Sequence, residues 1–100
     1  MFKRIGVIGA GAMGRGIAQL FASSGQQVLL FDTRAEAIDD ALAFNRNLLQ
    51  RAQAKGKMTE AELEATVARM QPAAQLTDLA ECDLVIEAIV ELLEVKQKLF

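Results

Sequence analysis

The sequence has 100 residues, 52% of them apolar and 24% charged, so it makes at most one domain, and its apolar content excludes a disordered segment. Its 11 basic and 13 acidic side chains leave a net charge of −2, without the basic excess that marks a nucleic-acid module. It contains no histidine, the commonest general acid or base near neutral pH, so either another group moves protons or that residue lies beyond Phe100.

Residues 3–8 read as a short apolar strand that runs straight into glycines. Residues 12–24 carry Met13, Ile17, Leu20 and Phe21 at helical spacing, and Gly25 is a good helix stop. Residues 28–31 make a second buried strand, ended by Asp32. Strand, helix and strand within about thirty residues predict a parallel, right-handed crossover. Residues 35–54 predict a long helix with Ile38, Leu42, Leu49 and Ala52 on one broad face, broken by Lys55, Gly56 and Lys57. Thr59 and Glu62 have the spacing of a capping box, opening a helix to about Met70 that Pro72 ends. Residues 73–76 predict a third short strand, residues 77–81 a single helical turn capped by Thr77, and residues 83–90 the next buried strand. Residues 92–100 predict the start of another helix. This order, β-α-β-α-α-β-β-α, is that of an open α/β sheet of the Rossmann type, doubly wound and parallel, with a helical pair inserted in one crossover. Residues 1–100 are expected to form the first half of such a dinucleotide-binding domain and the start of its second.

The run Gly9-Ala10-Gly11-Ala12-Met13-Gly14 fits the G-x-G-x-x-G pattern. A strand precedes it, a helix follows it, and Asp32 ends the next strand 18 residues after Gly14, close to the spacing of about 20 in dinucleotide folds. Gly9 permits the tight turn, Gly11 lets backbone approach a pyrophosphate, and Gly14 lets the helix pack close to the sheet. The helix amino terminus then offers free amides and its positive dipole end to phosphates. Gly16 reads as a further close-packing position. Asp32 is placed to accept hydrogen bonds from adenosine ribose hydroxyls, and its charge repels a 2′-phosphate, so NAD is favoured over NADP. Arg34 admits two readings, a cation for a 2′-phosphate or a solvated residue in the first turn of a helix.

Ligands in open α/β sheets sit beyond the carboxyl ends of the strands, which turns attention to Glu91 and Lys96 after the strand at residues 83–90. From spacing alone they are either cofactor contacts or ordinary solvated charges. Glu87, inside an apolar strand, reads as a satisfied structural carboxylate. Cys82 reads as a small packing residue, with nothing basic beside it to activate the thiol and no second cysteine for a disulfide. The five phenylalanines read as core or helix-packing residues. There is no metal-ligand spacing, no stretch able to span a membrane and no export signal, so a cytoplasmic protein is expected.

The glycine turn with Arg15-Gly16-Ile17-Ala18, Asp32, the run from Asp83 to Glu91, and Val95-Lys96-Gln97-Lys98-Leu99-Phe100 together resemble the 3-hydroxyacyl-CoA dehydrogenase family. The likeness runs the length of the chain, and its last segment is the specific part. It implies NAD-dependent, reversible oxidation of 3-hydroxyacyl-CoA to 3-ketoacyl-CoA, in fatty-acid or related acyl-CoA degradation. By the same resemblance Gly9, Gly11, Ala12, Met13 and Gly14 hold the pyrophosphate and Asp32 the ribose. Ile89, Val90 and Glu91 line the nicotinamide side, and Lys96 contacts the cofactor. Lys55 matches a family lysine that meets the CoA substrate, with Arg51 and Lys57 nearby; where members can carry a serine contact, this chain has Asn47-Leu48.

The family's proton acceptor, a histidine paired with a glutamate, lies downstream of Phe100, so no catalytic residue is expected within this chain. The family also implies a homodimeric parent. Three other readings stay open at this point: a 3-hydroxyisobutyrate or 6-phosphogluconate type enzyme, a hydroxy-acid or sugar-acid dehydrogenase related to lambda-crystallin, and a non-catalytic NAD-binding protein.

Overall fold

The computed structural model describes residues 3–89 and 92–97, with backbone alone at 89 and 92–97. The described chain runs β1 (Arg4–Ile8), α1 (Ala12–Ser23), β2 (Gln27–Phe31), α2 (Ala35–Ala54), α3 (Glu60–Arg69) and β3 (Met70–Pro72). A 3-10 helix over Leu76–Glu81, β4 (Leu84–Ile89) and β5 (Leu92–Gln97) follow. The strands form one sheet in the order β3-β2-β1-β4-β5. β1 is parallel to β2 and β4, β2 is parallel to β3, and β5 runs antiparallel to β4. The parallel strand-helix-strand start expected from sequence is present, and the fold is of the Rossmann type.

Alternation along the strands builds two cores. Ile5 and Val7 of β1, Val28 and Leu30 of β2 and Ile86 of β4 pack against Ala18, Ala22, Ile38 and Leu49 of the helices. On the opposite face Leu29 and Val85 meet Leu79 and Cys82 around the 3-10 helix. Successive side chains of a strand point to opposite faces, so one pass of β1 serves both cores. Gly6 makes the second core possible. A Cβ there would stand 2.9 Å from Cγ and Cδ2 of Leu79 and 3.2 Å from Sγ of Cys82. Cys82 is fully buried, as its packing role requires.

Side-chain bonds brace the helices. Asn45 is buried and its Nδ2 donates to the Arg15 carbonyl at 3.1 Å and to the Met70 sulfur at 3.4 Å, joining α2 to α1 and β3. Arg69 Nη1 donates to the Ala22 carbonyl at 2.9 Å, capping α1 from α3. The capping box forms as expected: Glu62 N donates to Thr59 Oγ1 at 3.1 Å and Thr59 N to Glu62 Oε1 at 2.9 Å. Gly56, at φ +74, closes α2: its amide donates to Gln53 O at 3.0 Å and that of Lys57 to Ala52 O at 2.9 Å. That pattern leaves Lys55 as the last capping residue of α2.

Five expectations need correction. The third strand is Met70–Pro72 and not 73–76. The Ala73 amide donates to Leu30 O at 2.9 Å, so alternation turns the Pro72 nitrogen outward at the sheet edge, where a missing N–H breaks no ladder bond. The 3-10 helix is held by Asp78, whose Oδ2 accepts from the amides of Ala74 and Gln75 at 3.0 and 3.1 Å, and not by Thr77. Residues 92–97 form β5, pairing Ile89 with Leu92 through to Leu84 with Gln97. A short helix pays a nucleation cost, whereas pairing satisfies the backbone along the edge of β4. Gly16 is exposed and a Cβ would meet nothing within 4 Å, so close packing is not its reason. Phe44 is exposed and lies under Arg15, whose guanidinium carbon is 3.5 Å from the ring centroid.

Candidate functional site

β1 lies between β2 and β4, which leave it in opposite directions. A crevice opens where strand order reverses in this way, beyond the carboxyl ends of the strands. A cleft of about 390 Å³ lies there, lined by Gly9, Gly11, Ala12, Met13, Asp32, Arg34 and Ala88. The sequence named five of the seven as cofactor residues and weighed Arg34; Ala88 was missed, because an alanine at a strand end carries no chemical signal.

The turn is built backbone first. The Gly9 amide extends the ladder by donating to Phe31 O at 2.7 Å, and Gly9 then takes φ +104, a conformation that L side chains resist. The Ala10 amide donates to Asp32 Oδ2 at 2.9 Å, tying the turn to the end of β2. Gly14 lies against the turn: a Cβ would fall 1.6 Å from the Gly9 carbonyl oxygen, so the first turn of α1 can pack here only with a glycine. Gly11 differs. Its φ of −76 suits any residue, and a Cβ would meet nothing within 4 Å. No atom of the described residues needs Gly11 to be bare, so its bareness suits a group that enters from outside.

Gly11 is the N-cap of α1 and offers no side-chain cap; the first turn holds no acid. The leading amides of α1 and the positive end of its dipole are therefore available to an anion. Asp32 faces them from β2. Its Oδ2 holds the Ala10 amide, and its Oδ1 accepts from the Arg34 amide at 2.9 Å, with Arg34 Nε at 3.7 Å. Burial opposes the Asp32 charge, but the two amides and the guanidinium outweigh it and hold the carboxyl below its ordinary value. Each oxygen keeps lone-pair capacity for a further donor.

Asp83 repeats this device at the other end of β1, accepting from the amides of Lys3 and Arg4 at 2.9 and 3.0 Å, which lower its pKa. The depressed folded-state values mean that both carboxylates contribute fully above the ordinary aspartate pKa and lose that contribution as pH falls below it. Urea unfolding should therefore show a midpoint that drops between about pH 5 and pH 2, less steeply for Asp83→Asn. An equal slope in the variant would remove Asp83 from this account.

Lys55 stands apart from the cleft. Lys55 closes the far end of α2, a helix of 20 residues that at 1.5 Å per residue is about 30 Å long. Ile89 ends β4 one residue beyond Ala88, while the backbone of Lys96 lies opposite Val85, toward the start of β4. Val90 and Glu91 lie outside the described residues. No cluster able to hold a metal ion and no helix long and apolar enough to cross a membrane occurs among the described residues.

The geometry has counterparts in known proteins. Residues 4–100 match the family model described as 3-hydroxyacyl-CoA dehydrogenase, NAD binding domain. The chain is 43% identical over 100 residues to 3-hydroxybutyryl-CoA dehydrogenase of Bradyrhizobium diazoefficiens, covering all of this chain and 34% of that protein. It is 46% identical over 98 residues to 3-hydroxyadipyl-CoA dehydrogenase of Escherichia coli, covering 98% of this chain and 21% of the relative. The crystal structure of (S)-3-hydroxybutyryl-CoA dehydrogenase from Ralstonia eutropha superposes with a TM-score of 0.87 at 36% identity, over 91% of this chain and 32% of that one. The chain thus spans about a third or less of the length of these relatives.

Proposed function

We propose that this chain, which belongs to the 3-hydroxyacyl-CoA dehydrogenase family through its NAD-binding domain, supplies the cofactor site of an enzyme that interconverts 3-hydroxyacyl-CoA and 3-ketoacyl-CoA. Relatives named 3-hydroxybutyryl-CoA and 3-hydroxyadipyl-CoA dehydrogenase support that substrate class. A relative named fatty acid oxidation complex subunit alpha, from Psychrobacter arcticus, supports a place in acyl-CoA degradation. The observation that carries the reading is Gly11, bare over an open cleft with no atom of the described residues to explain it.

Bound NAD supplies the hydride acceptor for oxidation at the 3-hydroxyl carbon. The chain's own part is to bind and orient. Gly9 and Gly14 shape the turn, the bare Gly11 leaves room for the pyrophosphate, and the amides at Ala12 and Met13 meet it. Asp32 takes the ribose hydroxyls, and its retained charge disfavours a 2′-phosphate. Because Ala88 already lines the cleft, the residues that follow it, Ile89, Val90 and Glu91, are assigned to the nicotinamide end; for Lys96 the family resemblance is the support. Lys55 is assigned to the CoA tail, whose phosphates lie a long pantetheine arm away from the reacting carbon. The sequence holds no histidine, and the hydroxyl proton goes to a base outside these residues.

The test is oxidation of NADH driven by acetoacetyl-CoA, followed by the loss of reduced-nicotinamide absorbance, with NADPH run beside it. Fast loss of NADH and slow loss of NADPH are expected, and Lys55→Ala should raise KM for the CoA substrate with little change in kcat. No turnover by an intact protein that binds NAD would reject the proposed reaction.

A further inference from the structure

Among the described residues lining the dinucleotide cleft, Asp32 and Arg34 are the only charged side chains, and they are unequal partners. Asp32 is nearly enclosed, with a side chain 14% exposed, and fixed at both oxygens; the Arg34 side chain is 68% exposed. The Arg34 guanidinium reaches Oδ1, the oxygen that the Ala10 amide does not use. We infer that the cleft contains a masked 2′-phosphate site, in which Arg34 is the cation and the anchored Asp32 is the charge that keeps it closed.

The inference rests on the cofactor reading above and goes beyond it, because it makes cofactor choice a property of two side chains acting on one point. A ribose hydroxyl that donates to Asp32 Oδ1 comes within reach of the guanidinium 3.7 Å away. A phosphate ester on that hydroxyl carries a charge of about −1.5 to −2 and would meet both groups at once. Asp32 cannot turn away from it without releasing the Ala10 amide and loosening the glycine turn. The repulsion is therefore built in, and the attraction from Arg34 is cancelled rather than absent. Removing the carboxylate charge while keeping an acceptor for the Ala10 amide should unmask the site. Asparagine does both, since its side-chain oxygen still accepts.

The experiment is calorimetric titration of the intact protein with NAD and with adenosine 2′,5′-bisphosphate, which presents the 2′-phosphate without the nicotinamide. The wild type should bind NAD and bind the bisphosphate weakly. Asp32→Asn, and Asp32→Ser beside it in case one of them misfolds, should bind the bisphosphate at least about tenfold more tightly than the wild type, as one gained charge-assisted contact would give. Adding Arg34→Ala should erase that gain. A folded Asp32 variant without the gain, or a double variant that keeps it, overturns the masked site while leaving the NAD reading intact. A wild type that binds no NAD overturns the cofactor reading and the masked site with it.

Discussion

Gly11→Ala is expected to leave the fold intact and remove most of the affinity for NAD. At φ −76 the residue is free of strain, and the new Cβ meets nothing within 4 Å. Stability should change by no more than about 1 kcal/mol, because alanine is a poorer N-cap than glycine but loses less chain entropy on folding. The same Cβ projects into the cleft at the amino end of α1, where a pyrophosphate has to come close to the backbone amides. A loss of about hundredfold in affinity, roughly 2.7 kcal/mol, is expected in a calorimetric titration with NAD. Unchanged affinity in a stable variant would mean that the pyrophosphate does not lie over this glycine.

Gly14→Ala should fail for the opposite reason. Its Cβ would fall 1.6 Å from the Gly9 carbonyl oxygen and 2.8 Å from the Gly9 carbonyl carbon. Backbone cannot swing aside as a side chain does, so α1 has to lift off the turn or the turn has to open. The cost should be at the upper end of overpacking, about 3 kcal/mol or more, read as a lower urea midpoint, with cofactor affinity lost as well. The two substitutions look alike in sequence and separate binding from folding. Equal destabilisation by both would contradict the turn described above.

Much of this is legible in the sequence. Gly9, Gly11, Gly14 and Asp32 follow a spacing whose physical reasons are local, and the turn, the first helix and the second strand each depend on residues close in sequence. The capping box at Thr59 and Glu62 is local too. What escaped is non-local or carried by backbone. Pro72 reads as a breaker until β2 is seen beside it, because only the partner strand decides which way its nitrogen faces. Residues 92–97 hold apolar positions that suit a helix or a strand, and the edge of β4 decides between them. Gly6 looks like any small residue until Leu79 and Cys82 lie against it.

The site shows the same division. That an acid should end β2 was readable from spacing, but its second duty was not, since the partner is the amide of Ala10 and an amide leaves no mark in a sequence. Arg34 could be read as a solvated cation or a phosphate ligand; its contact with Asp32 ties the two readings to one carboxylate. Phe44 was read as packing, and the residue that covers it, Arg15, comes from a helix almost thirty positions earlier.

The most direct test of the account is amide hydrogen exchange on the intact protein with and without NAD. Protection should concentrate at the amides of residues 9–15 and 32–34, with residues 55–69 little changed. Protection elsewhere, with none at the glycine turn, would place the cofactor outside this cleft and contradict the assignment of Gly11 and Asp32.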